Sequence, residues 1–224
     1  MSHDLSLQEQ FLLLCLNDVT GKLEENWVDY GLNGAALAEL MLRERIRLDE
    51  KGRVIVTNAA PTGDDLLDRA LSRLAQSRRI GKLSGWVATL YRGRPGARQS
   101  LIDRLIDRGI LTMEEGRILW VFPTTRYPAR DPISEHEVRE RLRRAILADG
   151  PVDQTLTTLI ALLNACHSLD RVLSKEELKR RRSRIKQICE GDAVGTAVSR
   201  AVSAAVAAAE AAVIVASTAG ATGG

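Results

Sequence analysis

Apolar residues recur at helical spacing along most of the chain. The periodicity predicts helices over about 34–45 (Ala35, Leu37, Leu40, Leu42), 64–77 (Leu66, Leu67, Ala70, Leu71, Leu74), 83–92, 97–108 (Leu101, Ile102, Leu105, Ile106), 153–170 and the alanine-rich end. Three more starts carry capping boxes, Ser6-Leu-Gln-Glu9, Ser134-Glu-His-Glu137 and Ser174-Lys-Glu-Glu177, in which serine and glutamate each satisfy a backbone N–H left open at a helix start. Nine helices follow. Strand alternation is confined to two short stretches, Ile46 to Val56 around Lys51-Gly52 and Ile110 to Val121 around Glu115-Gly116. An offset of 64 residues superposes Leu42, Ile46, Glu50, Gly52 and Arg53 on Ile106, Ile110, Glu114, Gly116 and Arg117, so the two read as copies of one unit. The fold class expected is mainly α, a compact multi-helix domain around a central helical bundle with two short β-hairpins. A single domain is expected over 1–224, with a flexible tail at 218–224.

A helix followed by a β-ribbon is also the outline of a winged helix, which makes nucleic-acid binding the rival reading. Its groove-reading helix would be 34–45, which carries Glu39 and Glu44 and gains Arg43 and Arg45 only at its C-terminal end. Base contacts come from the N-terminal part of such helices, so the outline reads as scaffold and a nucleic-acid partner is not favoured.

Composition narrows the core. With 45% hydrophobic residues but only eight aromatics, it must be built from Leu, Ile, Val and Ala. Cys15, Cys166 and Cys189 have no metal or disulfide spacing and read as thiols in a reducing compartment. Met1-Ser2-His3-Asp4 opens without a basic region or apolar run, so no secretory signal is expected. The stretch from Ala193 to Ala219 is long, but its alanines contribute little to insertion and it contains Arg200 and Glu210; a buried or amphipathic helix is expected there.

The net charge of +3 conceals a steep asymmetry. Residues 1–68 carry 6 basic and 13 acidic side chains, whereas residues 69–108 carry 10 basic and 2 acidic. Such a block serves an anionic partner or pairs with the acidic N-terminal third. The run Lys179–Lys186 follows a capping box and is interleaved with Leu178, Ile185 and Ile188, the pattern of a solvated helix face. No catalytic motif, phosphate loop or metal-ligand spacing is present, so neither a catalytic nor a metal site is assigned, and no cofactor. His167 lies in an apolar stretch and is expected to be a buried structural residue; adjacent Cys166 would point about 100° away from it on a helix. Asp64, Asp65 and Asp68 open a helix, where the dipole favours carboxylates without any metal.

One constellation offers binding chemistry. Asn33 is placed to cap a helix whose first N–H groups lie at Gly34 to Leu37, and a helix N-terminus attracts anions. Trp27, just before it, reads equally as core packing under a loop or as an indole at a membrane interface. Arg98 falls inside the apolar stripe of its helix, where it requires an acceptor, either an acidic side chain or a phosphate. In the second hairpin, Ile118-Leu119-Trp120-Val121-Phe122 is too apolar for a free strand and is expected to be covered by lipid or another subunit.

Six segments occur in the order found in the Golgi phosphoprotein 3 family: Leu5–Leu14 with Trp27, Gly31–Gly34, Leu40–Arg43 with Ile46, Pro61–Asp64 with Leu66–Asp68, Arg108–Thr112, and His167–Asp170. The chain resembles that family over about residues 5–215. The resemblance implies a non-enzymatic peripheral membrane protein on the cytoplasmic face of a membrane, binding phosphatidylinositol 4-phosphate or a related anionic phospholipid and forming homo-oligomers through a β-hairpin. Carried onto this chain, the headgroup residues are Trp27 and Arg98, with Asn33 where the family has an arginine before Gly34, and Arg94 standing in for a base that falls at Pro95. The basic N-terminal tail of eukaryotic members has no counterpart, and the Ala- and Arg-rich composition suggests a bacterial source.

Overall fold

The computed structural model describes residues 5–17, 23, 27–78, 81–92, 96–118 and 122–221, with side chains left undescribed at 116–118, 122–124 and 210–221. In order, the elements are α1 (Leu7–Cys15), α2 (Val28–Leu42), β1 (Ile46–Leu48), β2 (Val54–Val56), α3 (Asp65–Gln76), α4 (Leu83–Thr89) and α5 (Ala97–Asp107). They continue with β3 (Glu114–Ile118), β4 (Phe122–Arg126), α6 (Pro132–Leu147), α7 (Gln154–Ala165), a 3-10 turn (Leu169–Arg171), α8 (Lys175–Glu190) and α9 (Ala193–Ala221). The mainly α class with two small antiparallel ribbons is as the periodicity predicts.

The hub is α2, which packs against α1, α4, α5, α7 and α9. Leu32, Leu37 and Leu40 are wholly buried, each stabilising the fold by roughly 1.5–3 kcal/mol. Close approach explains its two glycines: a Cβ at Gly31 would overlap the Phe11 ring, and one at Gly34 would lie 2.6 Å from Val202 Cγ2. The expected start of this helix at Gly34 is therefore wrong by nearly two turns. The helix begins at Val28, so Asn33 lies inside it and caps nothing. A helix buried along most of its length cannot enter a DNA groove, which removes the physical basis of the winged-helix reading.

The capping boxes at Ser6 and Ser174 form as predicted. Ser134 does not cap. Its helix starts earlier, at Pro132, with Asp131 accepting from the Ile133 N–H, and the Ser134 hydroxyl donates to Asp131 Oδ2 at 2.7 Å. A proline with fixed φ after an aspartate is the stronger start signal. The 153–170 helix also stops short, at Ala165, and His167 takes a positive φ of 56° and is exposed. The expected buried histidine is incorrect because Cys166 fills the core position and the chain then turns left-handed.

The first hairpin pairs Ile46 with Val56 and Leu48 with Val54, closed by the Asp49 carboxylate accepting from Lys51 and Arg53 N–H groups. The second departs from expectation. Glu115 and Gly116 are mid-strand, opposite Thr125 and Thr124, and Ile118 pairs with Phe122, so the expected turn at Glu115-Gly116 is not formed; residues 119–121 are outside the described residues. The β-branched Thr124 and Thr125 extend the pairing beyond the point where apolar alternation ends. The two hairpins are not copies in register.

Val198, Ala201, Val202, Ala205 and Val206 put one stripe of α9 against α7, α2 and α4, giving the alanine-rich end its buried helix. This helix runs to Ala221, so the expected tail is helical from 218 to 221. Among the described residues no helix is long and apolar enough to cross a membrane. Ile185 and Ile188 seat α8, and Lys179, Arg180, Arg182 and Lys186 are exposed, as expected of a solvated face.

Candidate functional site

Two helix starts meet at the candidate headgroup site. Trp27 occupies the N-cap of α2 and supplies no side-chain cap; its half-buried indole lies 6.1 Å, centroid to centroid, from the Tyr30 ring. Gly96 is the N-cap of α5, likewise without a side-chain cap, and the first turn of α5 holds no carboxylate. One ion pair joins the starts: Arg98 Nε donates to Asp29 Oδ1 at 3.0 Å, with the Arg98 side chain 34% exposed and that of Asp29 62% exposed. Of the two acceptors open to Arg98, the structure supplies the acidic side chain. The two terminal nitrogens of Arg98 have no partner among the described residues. The result is a half-exposed guanidinium where two helix starts without side-chain caps meet, one of them begun by Trp27, a combination able to receive an anion.

The other expected members are dispersed. Asn33 is 8% exposed and its amide donates to the Val87 carbonyl at 2.7 Å, fastening α2 to α4. Gly34 faces Val202 and Leu162 in the core. Neither lies at a helix mouth. Arg94, Leu119, Trp120 and Val121 are outside the described residues; Ile118 and Phe122 are described only as strand ends.

Sequence reasoning did not single out Asp29, whereas pairing of the basic block with the acidic N-terminal third, one of its two readings, is what Arg104 and Arg108 do. Arg108 Nη1 donates to both oxygens of Glu9, at 2.8 and 2.9 Å, and Glu9 is 1% exposed. Arg104 donates to Asp64, at 2.7 and 3.2 Å, and also to Asp65. Asp64 at the same time caps α3 by accepting from Leu66 and Leu67 N–H groups. Burial opposes its ionisation, yet the hydrogen bonds from Arg104 and those N–H groups hold its carboxyl below the ordinary value. With Glu39 and Arg43, these groups line a cleft of about 400 Å³ in which carboxylates and guanidiniums are matched. Burial drives the Glu39 carboxyl upward despite Arg43 and the Leu7 N–H. The segment charge imbalance was the only signal in the sequence for these pairings. Among the described residues no group of carboxylates, histidines and cysteines has the arrangement of a metal site.

The sequence model of the Golgi phosphoprotein 3 (GPP34) family matches residues 7–208. The chain is similar to vacuolar protein sorting-associated protein 74 of Eremothecium gossypii, 28% identical over 215 residues, covering 79% of this chain and 64% of that protein. It is also similar to a VPS74-like protein of Dictyostelium discoideum, 36% identical over 84 residues, or 33% of this chain and 32% of that one. The chain thus spans somewhat less than two thirds of the length of the first relative and about a third of the second. Neither relative is bacterial, and nothing supports the source suggested by composition. With a family match across nearly all the helical framework, including α2 and the α5 start that carries Arg98, the chain belongs to the Golgi phosphoprotein 3 (GPP34) family.

Proposed function

We propose that this protein is a non-enzymatic membrane-surface adaptor that grips an anionic, phosphoinositide-type headgroup between the first turns of α2 and α5. The observation that carries the reading is the position of Arg98, held by Asp29 in the first turn of the helix that Trp27 begins, with its terminal nitrogens free to fork onto a phosphate. The indole would enter the headgroup layer, while the guanidinium and the open N–H groups of α5 neutralise the phosphate. Asp29 then acts as a placeholder, exchanged for the ligand on binding.

The test is flotation with phosphatidylcholine vesicles with and without phosphatidylinositol 4-phosphate, beside a duplex-DNA shift assay. Arg98→Ala should remove a charge-assisted contact of roughly 1.5–3 kcal/mol, with the loss greatest at low ionic strength, and Trp27→Ala should weaken binding at every salt concentration. Asp29→Asn should tighten binding by freeing Arg98. Indifference to the phosphoinositide, or unchanged binding in all three variants, would overturn the proposal. Asn33→Arg is not expected to strengthen binding, since it places a charge at a buried position and breaks the bond to Val87.

A further inference from the structure

Subtracting the paired arginines from the basic block leaves several unmatched charges, three of which share one groove. Arg98, Arg104 and Arg108 are matched by Asp29, Asp64 with Asp65, and Glu9. Arg69, Arg73 and Arg92 have no carboxylate partner among the described residues, and all three are exposed. They line one open groove between α3 and α4, about 890 Å³ in volume, with Trp86 in its wall and no acidic residue among the described residues of its lining.

The groove is shaped by the chain around it. Arg69 and Arg73 stand one turn apart on the outer face of α3. The Arg69 guanidinium carbon is 5.1 Å from the centroid of the Tyr91 ring, which is buried and tied by its hydroxyl to the Leu66 carbonyl at 2.9 Å. Arg73 Nη1 donates to the Arg92 carbonyl at 2.9 Å, linking α3 to the segment that leads into α5. Two of the guanidiniums are thus positioned by neutral partners. They keep full charge and several free N–H donors, as a phosphate-binding surface requires. Trp86, half-buried, adds an amphipathic ring.

We propose that this groove is a second anion site, taking the phosphodiester headgroup of an acidic glycerophospholipid such as phosphatidylserine at the membrane surface that the α2–α5 mouth addresses. The assignment rests on the membrane-surface reading above but uses none of the residues of that mouth. Continuity favours lipid over an acidic protein segment. Arg92 and Arg98 are six positions apart, so their Cα atoms are no more than about 20 Å apart, a span within one bilayer contact. An arginine near an anionic surface contributes roughly fivefold in affinity, so three give on the order of a hundredfold.

The experiment compares binding of the full chain to phosphatidylcholine vesicles with and without phosphatidylserine, free of phosphoinositide. Arg69→Gln with Arg73→Gln and Arg92→Gln should abolish most of the phosphatidylserine-dependent binding. The control, Lys175→Gln with Lys179→Gln and Arg182→Gln, removes the same charge from the exposed face of α8 and should retain it. Thermal melting confirms that both triple variants are folded. An equal loss in the two variants would reduce the effect to net charge and overturn the site, as would no loss in the groove variant. Preferential loss of binding to a poly-glutamate peptide would assign the groove to an acidic protein partner instead, and inorganic phosphate held as tightly as the vesicles would make it a soluble-anion site. Repeating the series on phosphatidylinositol 4-phosphate vesicles separates the two proposals. Binding there that is insensitive to Trp27→Ala and Arg98→Ala refutes the mouth alone, and a groove variant unchanged on both vesicle types refutes the groove alone.

Discussion

Six arginines from one stretch of sequence meet opposite fates. Arg98, Arg104 and Arg108, on or beside α5, reach carboxylates contributed by α1, α2 and the start of α3, while Arg69, Arg73 and Arg92 remain among neutral neighbours at the α3–α4 groove. The difference follows from burial. Where α5 packs on α1 and α2, an unpaired charge would be desolvated at a cost of several kcal/mol, so an acceptor must be present. On the outer face of α3, water screens the guanidiniums and no such requirement exists. Arg104 and Arg108 are therefore structural, Arg98 sits in an exposed and exchangeable pair, and Arg69, Arg73 and Arg92 are available to a ligand, although in sequence they are alike.

The largest test of that division is Arg108→Ala, which leaves Glu9 buried and without its guanidinium. It should destabilise the fold by about 3 kcal/mol, read as a fall in the urea midpoint, and Glu9→Gln in the same background should recover part of the loss. A loss below about 1 kcal/mol would break the comparison.

A smaller effect is expected on acidification. Asp64 is held below its ordinary value against the pull of burial, and Glu177 is lowered to about 2 by hydrogen bonds from Arg143 and the Ser174 N–H. Carboxyls depressed in the folded state contribute stability that is present above their unfolded values and lost as pH falls through the folded ones. The melting temperature should therefore decline from about pH 4 toward pH 2. Arg104→Ala should flatten the Asp64 part of that decline, and an unchanged pH profile in this variant would contradict the assignment.

The smallest effect belongs to the groove. Arg69→Gln with Arg73→Gln should move stability by no more than about 1 kcal/mol, the scale of one exposed cation–π contact and a surface hydrogen bond. A loss as large as that of Arg108→Ala would show that these residues too are structural.

Much of this could be read in advance, for local reasons. The Ser6 and Ser174 boxes, the α3, α4 and α5 helices and the first hairpin depend on contacts within a few residues, and the sequence carries those contacts itself. The α2 start was hidden because Asn33 has the chemistry of a cap but is used instead as a link to Val87, a partner 54 residues away. The second hairpin was misread because its register depends on which strand residues find partners, and one face of a two-stranded ribbon leaves that weakly specified.

By itself, then, the sequence determined the helical class, the aliphatic core, the charge asymmetry and the candidates Trp27 and Arg98, all of which follow from residue type and short-range spacing. Only the tertiary structure decided that Arg98 meets Asp29 at the mouth of α2, that Asn33 and Gly34 belong to the interior, and that Arg69, Arg73 and Arg92 gather between α3 and α4. The Asn33 and Arg98 outcomes turn on pairings across 54 and 69 residues of chain, where burial and desolvation select the partner and local pattern carries no information.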